Sequence, residues 1–172
     1  MSNLHFTPYI KIPEDSTQWG LSEKQWRALQ KQTWIATEKV HGANFCLLCD
    51  GLQLRCAKRK VLLQKTDDFF AYQRVLTSLQ SKIFSLFEEL KEQDPALVQC
   101  ALYGELCGGS YPHPEVTPIQ GVEAVQTGVY YAPEVIFLAF DCALSIQSPQ
   151  SDTLDTVFLS FAELKDMTRR HE

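Results

Sequence analysis

"NFCLLCDGLQLRCAK", residues 44–58, decides how this chain folds. Two short apolar runs flank Asp50-Gly51, a pair that tolerates positive φ and signals a two-residue hairpin turn. Just upstream, "TWIATEKV" (33–40) reads as a further strand, so the whole stretch is strand, turn, strand, turn, strand. That reading puts Lys39 at the end of one strand, Gly42 in the bend after it, and Arg59 at the far end of the hairpin.

Working outward, "LSEKQWRALQKQ" (21–32) reads as a short helix, with Ser22 as N-cap and Gln25 closing a capping box. Downstream, Phe69, Tyr72, Leu76, Leu79, Ile83, Leu86 and Leu90 recur at steps of three and four, which predicts a helix over 68–91. Asp67 or Asp68 is the expected cap, and Asp94-Pro95 the stop. A coiled-coil partner is conceivable for this stripe, but packing on the domain's own sheet accounts better for Phe70, Phe84 and Phe87 off it. "ALVQCALYGELC" and "EVIFLAFDCAL" read as buried strands. The Gly- and Pro-rich stretch between them is too long for a tight connection and marks a functional or mobile loop. The tail opens as a strand, and Ser160 with Glu163 starts a last helix. No repeat or low-complexity block occurs. The order α, β-hairpin, α, β, β, β, α points to an α+β fold built on antiparallel sheet, with residues 1–172 forming a single domain or part of one.

The 172 residues include no run of 18 apolar ones, which excludes a conventional membrane helix. "MSNLHFTPYIKIPEDSTQWG" is mixed and acidic and resembles neither a signal nor a transit peptide, so a cytoplasmic protein is expected. Six cysteines should then be reduced. Cys46-x-x-Cys49 raises the question of zinc, but an odd separation on a strand sends the two thiols to opposite faces; buried free thiols are expected and no metal site. A net charge of −5 argues against blanket nucleic-acid binding. A local basic track survives that argument: "RCAKRKVLLQK" carries Arg55, Lys58, Arg59, Lys60 and Lys65 with no acid among them, either a solvated strand end or a phosphate-facing patch.

Lysine acts as a covalent nucleophile only when deprotonated, and partial burial beside positive charge (His41, Arg55, Arg59) would favour its neutral form. A neutral Lys39 amine could attack phosphorus or carbonyl carbon. Gly42 would let the backbone pass close to a ligand without a Cβ in the way. Arg59 could grip phosphate, Phe140 in "LAFDC" could stack on a nucleobase, and Glu105 in "YGELCGG" could accept hydrogen bonds from a ribose hydroxyl. Each piece alone is weak: K-x-x-G arises by chance, Glu105 could be a plain strand terminus, and Phe140 could be core.

Their order carries more. "EKVHGANF", "CAKRK" followed by "DDFFAYQRVL", "LYGELCGG" and "VYYAPEVIFLAFD" resemble the ATP-dependent RNA ligases of the phage RNA ligase 2 and kinetoplastid RNA-editing type. The resemblance covers roughly residues 30–142. DNA ligases and capping enzymes share K-x-x-G but usually carry aspartate at the place of His41; His41 with Asn44-Phe45 favours the RNA branch. The resemblance implies a nucleotidyltransferase (adenylation) domain of the ATP-grasp-like DNA/RNA ligase type, with ATP and Mg2+ or Mn2+ as cofactors and RNA 5′-phosphate and 3′-hydroxyl ends as partners. It implies that Lys39 forms lysyl-AMP, that Glu38 lies near the adenine edge, and that His41 and Asn44 engage phosphate, metal or RNA ends. Arg59 would contact ribose or phosphate, Glu105 would bind ribose, Phe140 would stack on adenine, and Asp141 would support the site.

Two family motifs are missing from this sequence. No Glu-Gly pair occurs, and the only K-x-K, Lys58-Arg59-Lys60, belongs to the earlier motif. The expectation is therefore an adenylation domain incomplete at its C-terminus and impaired as a ligase, because the missing lysines would act on the phosphates that Lys39 attacks. A completing chain or C-terminal segment would restore them. Against the enzyme stands a second reading, an inactive pseudo-ligase that binds nucleotide or RNA.

Overall fold

Backbone pairing sorts the apolar runs of the opening stretch and of its downstream counterparts into one antiparallel sheet. A computed structural model describes residues 4–148, 150 and 153–171. Its strands are β1 (Ala43–Cys49), β2 (Leu54–Lys58), β3 (Val61–Leu62), β4 (Leu97–Gly108), β5 (Val135–Gln147) and β6 (Leu154–Phe158), in the spatial order β3-β2-β1-β4-β5-β6. Every neighbouring pair is antiparallel. With helices α1 (Glu23–Leu29), α2 (Tyr72–Gln93) and α3 (Phe161–Arg170), this is an α+β fold. The chain divides into two compact units, Tyr9–Lys39 and the rest, Met1–Pro8 with Val40–Glu172.

In the larger unit one sheet face carries the core. Phe45, Leu47 and Cys49 of β1 lie opposite Gly104, Leu102 and Cys100 of β4. They cluster with Val75, Ile83, Leu86, Phe87 and Leu90 of α2 and with Leu164 and Met167 of α3. α2 thus packs on its own domain's sheet, its buried stripe extended by Val75 and Phe87. Burying a side chain such as Phe45, which has no exposed surface, stabilises the fold by roughly 1.5–3 kcal/mol.

The opposite face carries Gln99, Tyr103 and Glu105 of β4. Residues 4–8 cross part of it: the His5 amide donates to Gln99 Oε1 at 2.7 Å, Gln99 Nε2 donates back to the His5 carbonyl at 2.8 Å, and the Tyr103 hydroxyl donates to the Thr7 carbonyl at 2.7 Å. Both helix starts read from capping boxes are present, Ser22 with Gln25 and Ser160 with Glu163. Asp94 ends α2.

Three local expectations need correcting. Residues 33–40 form no strand; β1 already has β2 and β4 on its two edges, and β propensity without a ladder partner does not make a strand. The hairpin turn centres one residue later than Asp50-Gly51: the Asp50 amide reaches the Gln53 carbonyl at 3.4 Å, and Gly51, at φ +83°, is the first of two central residues. Asp50 instead braces the turn, its side chain accepting from the Leu52 and Gln53 amides, each at 2.9 Å. Neither Asp67 nor Asp68 caps α2; the N-cap is Ala71, in the left-handed region at φ 50° with no side-chain cap bond. The reason is tertiary. A turn through Phe70 and Ala71, both at positive φ, lets Phe69 and Tyr72 both reach the Phe45 ring, with centroids 6.4 and 5.8 Å away.

The smaller unit is built from a 3₁₀ turn (Ser16–Trp19), capped by Asp15 and ended by Gly20 at φ +62°, followed by α1. Trp19 stacks on Trp26 at 5.7 Å, and the Trp34 indole donates to the Leu29 carbonyl at 3.2 Å.

Candidate functional site

Register brings several of the singled-out residues to one end of the sheet. Asn44 on β1 pairs directly with Glu105 on β4, and Glu105 pairs with Leu138 on β5. All three alternate away from the core, on the face opposite α2 and α3. One row further in, Lys58, Phe45, Gly104 and Ala139 line up across four strands. Arg59 follows Lys58 in the exposed turn between β2 and β3, at this same end.

Phe140 owes its place to an irregularity. Tyr103 pairs with Asp141 and Gly104 with Ala139, so β5 carries Phe140 as an extra residue there. Bulges of this kind re-aim side chains. Phe140 is 41% exposed and Leu138 39%, a paired apolar surface beside the half-buried Glu105. Gly104 makes the bulge possible, because a Cβ there would lie 2.3 Å from the Phe137 ring and 2.5 Å from the Leu138 carbonyl oxygen. Asp141 accepts from the Cys142 amide at 2.9 Å, next to the ring it follows in sequence.

Gly42 serves a different purpose from the one its motif suggests. A Cβ on it would stand 1.9 Å from the Leu106 carbonyl oxygen and 2.8 Å from Glu105 Cγ. The glycine is needed for the chain to lie against β4, not to admit a ligand. This contact joins the K-x-x-G segment to the strand end that holds Glu105.

Lys39 and Glu38 are exposed and lie in no regular element, so the expected strand-end placement and partial burial of Lys39 do not hold. His41 is exposed too, but its backbone is tied down. Its amide donates to the Tyr131 hydroxyl at 2.9 Å, and Gln126 Nε2 donates to the Gly42 carbonyl at 3.0 Å. Both partners come from the long connection between β4 and β5. That connection is pinned at its base, where the Gly109 amide reaches the Glu134 carbonyl at 2.9 Å and the Val125 amide reaches the Gly108 carbonyl at 3.0 Å. Sequence reading missed Tyr131 and Gln126; the only signal was that Tyr131 falls within "VYYAPEVIFLAFD".

The cysteines are free and buried, as expected. Burial pushes the Cys56 and Cys142 thiols up to about 12, and Cys46 higher still. Among the described residues no three His, Cys, Asp or Glu side chains gather in a way that could hold a metal ion, and no helix is long and apolar enough to cross a membrane.

The RNA ligase family profile matches residues 32–172. RNA-editing ligase 2, mitochondrial, of Trypanosoma brucei brucei is 31% identical over 180 residues, covering 96% of this chain and 42% of the relative. RNA-editing ligase 1, mitochondrial, of the same organism is 31% identical over 182 residues, covering 92% and 38%. The chain thus spans about two-fifths of the length of these curated relatives. Among solved structures, a Naegleria gruberi RNA ligase with PPi overlays with a TM-score of 0.44 at 13% identity, covering 77% of this chain and 30% of that one.

Proposed function

Since the chain belongs to the RNA ligase family, we propose that it performs the nucleotidyl-transfer chemistry of an ATP-dependent RNA ligase, with Lys39 as the nucleophile. The observation that carries this reading is the packing of Gly42 on Glu105 and Leu106. It couples the lysine-bearing motif, through three peptide bonds, to a strand end equipped for a nucleoside.

In the proposed reaction the lone pair of the neutral Lys39 amine attacks the α-phosphorus of ATP. A P–N bond forms, the P–O bond to the β-phosphate breaks, pyrophosphate leaves with the electron pair, and the amine gives up one proton to solvent. Glu105 holds ribose hydroxyls, Phe140 stacks on adenine with Asp141 bracing the bulge, and Glu38 meets the adenine edge. Arg59 contacts ribose or phosphate from the β2–β3 turn, while His41 and Asn44 engage phosphate or RNA ends. AMP then passes to an RNA 5′-phosphate, returning the lysine to its amine. An RNA 3′-hydroxyl next attacks that phosphate and expels AMP, sealing the ends in RNA repair or editing. Mg2+ or Mn2+, when bound, offsets charge on the triphosphate.

Sealing by these 172 residues alone should be weak, since no K-x-K other than Lys58-Arg59-Lys60 occurs in the sequence. That same feature, with the exposure of Lys39, favours the alternative of a nucleotide- or RNA-binding pseudo-ligase, or a subunit completed by another chain. Intact-mass spectrometry after incubation with ATP and magnesium separates them. One added AMP, lost in Lys39→Ala, is the expected result. A chain that binds ATP and takes no AMP would refute the enzymatic reading. Nicked duplexes with RNA or DNA on the 3′-hydroxyl side test the substrate, and a clear DNA preference would overturn the RNA assignment.

A further inference from the structure

The tie between the β4–β5 connection and the segment after Lys39 has a functional consequence. The β1 ladder with β4 begins at Ala43. The His41 amide and the Gly42 carbonyl lie just before it, outside the ladder. Two side chains from far along the chain serve them, Tyr131 at 90 residues' separation and Gln126 at 84. One accepts and one donates, so two consecutive residues are held from both polar sides. The Gly42 contact on Leu106 fixes the same segment sterically.

We infer that Tyr131 and Gln126 are positioning residues for adenylylation: they hold the His41-Gly42 backbone, and through it the Lys39 amine two residues upstream, in line with the α-phosphorus. The inference rests on the lysyl-AMP reading above. Neither residue touches the reacting atoms. Their contribution is to the orientation of the attacking amine, and misplacing a reactant by about 1 Å can cost a hundredfold in rate. A tether acting this way changes the rate of attack more than nucleotide affinity, to which His41 and Glu38 on the tethered segment add only part. Glu105, Phe140 and Arg59 are on other elements and would bind ATP as before.

Two variants test it. Tyr131→Phe deletes one oxygen and keeps the ring. Gln126→Glu keeps the shape of an exposed side chain, removes its donor and sets a carboxylate against the Gly42 carbonyl. Transfer of α-phosphate-labelled AMP is followed in single turnover across ATP concentrations, beside wild type and Lys39→Ala. Each variant should slow transfer at saturating ATP by roughly tenfold or more, with a much smaller change in the half-saturating ATP concentration. In Tyr131→Phe, hydrogen exchange at the His41 amide should quicken. Wild-type rates in both variants would overturn the inference, and so would a loss that saturating ATP restores, because that marks a binding role. If Tyr131→Phe fails to fold, Gln126→Glu decides alone, since its side chain is exposed. Should wild type itself take no AMP, the lysyl-AMP reading falls and the positioning role with it; slow variants beside an active wild type cannot arise that way.

Discussion

Replacing Gly42 by alanine tests the contact on which the site depends. The added methyl would sit 1.9 Å from the Leu106 carbonyl oxygen, 2.9 Å from the Leu106 carbonyl carbon and 2.8 Å from Glu105 Cγ. Ordinary carbon–oxygen contacts begin near 3.3 Å, so about 1.4 Å of separation must be found. The Glu105 side chain can swing away. The Leu106 carbonyl cannot easily do so, because Leu106 is fully buried and its strand is laddered on both sides, to Ala43 and to Phe137. Overpacking against mobile side chains destabilises by about 1–3 kcal/mol, and a backbone obstacle puts this case at the upper end, about 3 kcal/mol. For a chain of this size that lowers the melting temperature by roughly 6–12 °C. Gly128→Ala is the matched control. Its φ of +85° makes alanine strained, by about 1–2 kcal/mol, yet nothing lies within 4 Å of the new Cβ. Circular-dichroism melts of the two variants therefore separate a clash from a backbone preference, and AMP labelling reports whether Lys39 is still delivered. If Gly42→Ala melts with wild type and labels at the wild-type rate, the segment does not lie against β4 as described and the argument for the site fails.

Two other perturbations probe the frame around the site. Ala71→Gly should raise the melting temperature by up to roughly 6 °C: relief of an L-residue at φ 50° gains about 1–2 kcal/mol, less about 0.4–1 kcal/mol from greater freedom of the unfolded chain; a lower melting temperature would contradict the left-handed N-cap. Glu89 joins α2 to α3 through His171 at 2.8 Å and Arg170 at 2.6 Å. The hydrogen bonds with His171 and then Arg170 hold its carboxyl below the usual range. A depressed carboxylate contributes stability above its unfolded-state pKa and loses it as pH falls through the folded one. Glu89→Gln should therefore flatten the acid limb of melting temperature against pH, and an unaltered limb would show that the bond is not formed in solution.

Local chemistry made much of this molecule readable in advance. Ser22–Gln25 and Ser160–Glu163 announce helix starts because a capping box needs only four consecutive residues. The apolar stripe of α2 and the long runs of β4 and β5 are likewise local patterns, as is the odd spacing that sends Cys46 and Cys49 to opposite faces. The proposed site residues could be listed from the order of their motifs. Their arrangement could not. "TWIATEKV" has strand composition but finds no ladder, and Lys39 is exposed where partial burial was expected. Asp67 and Asp68 are good caps that lose to Phe69 and Tyr72, because aromatic packing on Phe45 outweighs one cap bond.

Caps and periodicity by themselves determined the α+β class and the main helices and strands, since each is written within a few neighbouring residues, and the order of the motifs gave the family likeness. Only the tertiary structure decided that Asn44 faces Glu105, that Phe140 sits on a bulge, that Gly42 is a packing glycine, and that Tyr131 and Gln126 hold the backbone after Lys39. Those facts join residues about 30 to 90 positions apart, and such pairings are fixed by strand register and loop closure, which no local pattern encodes.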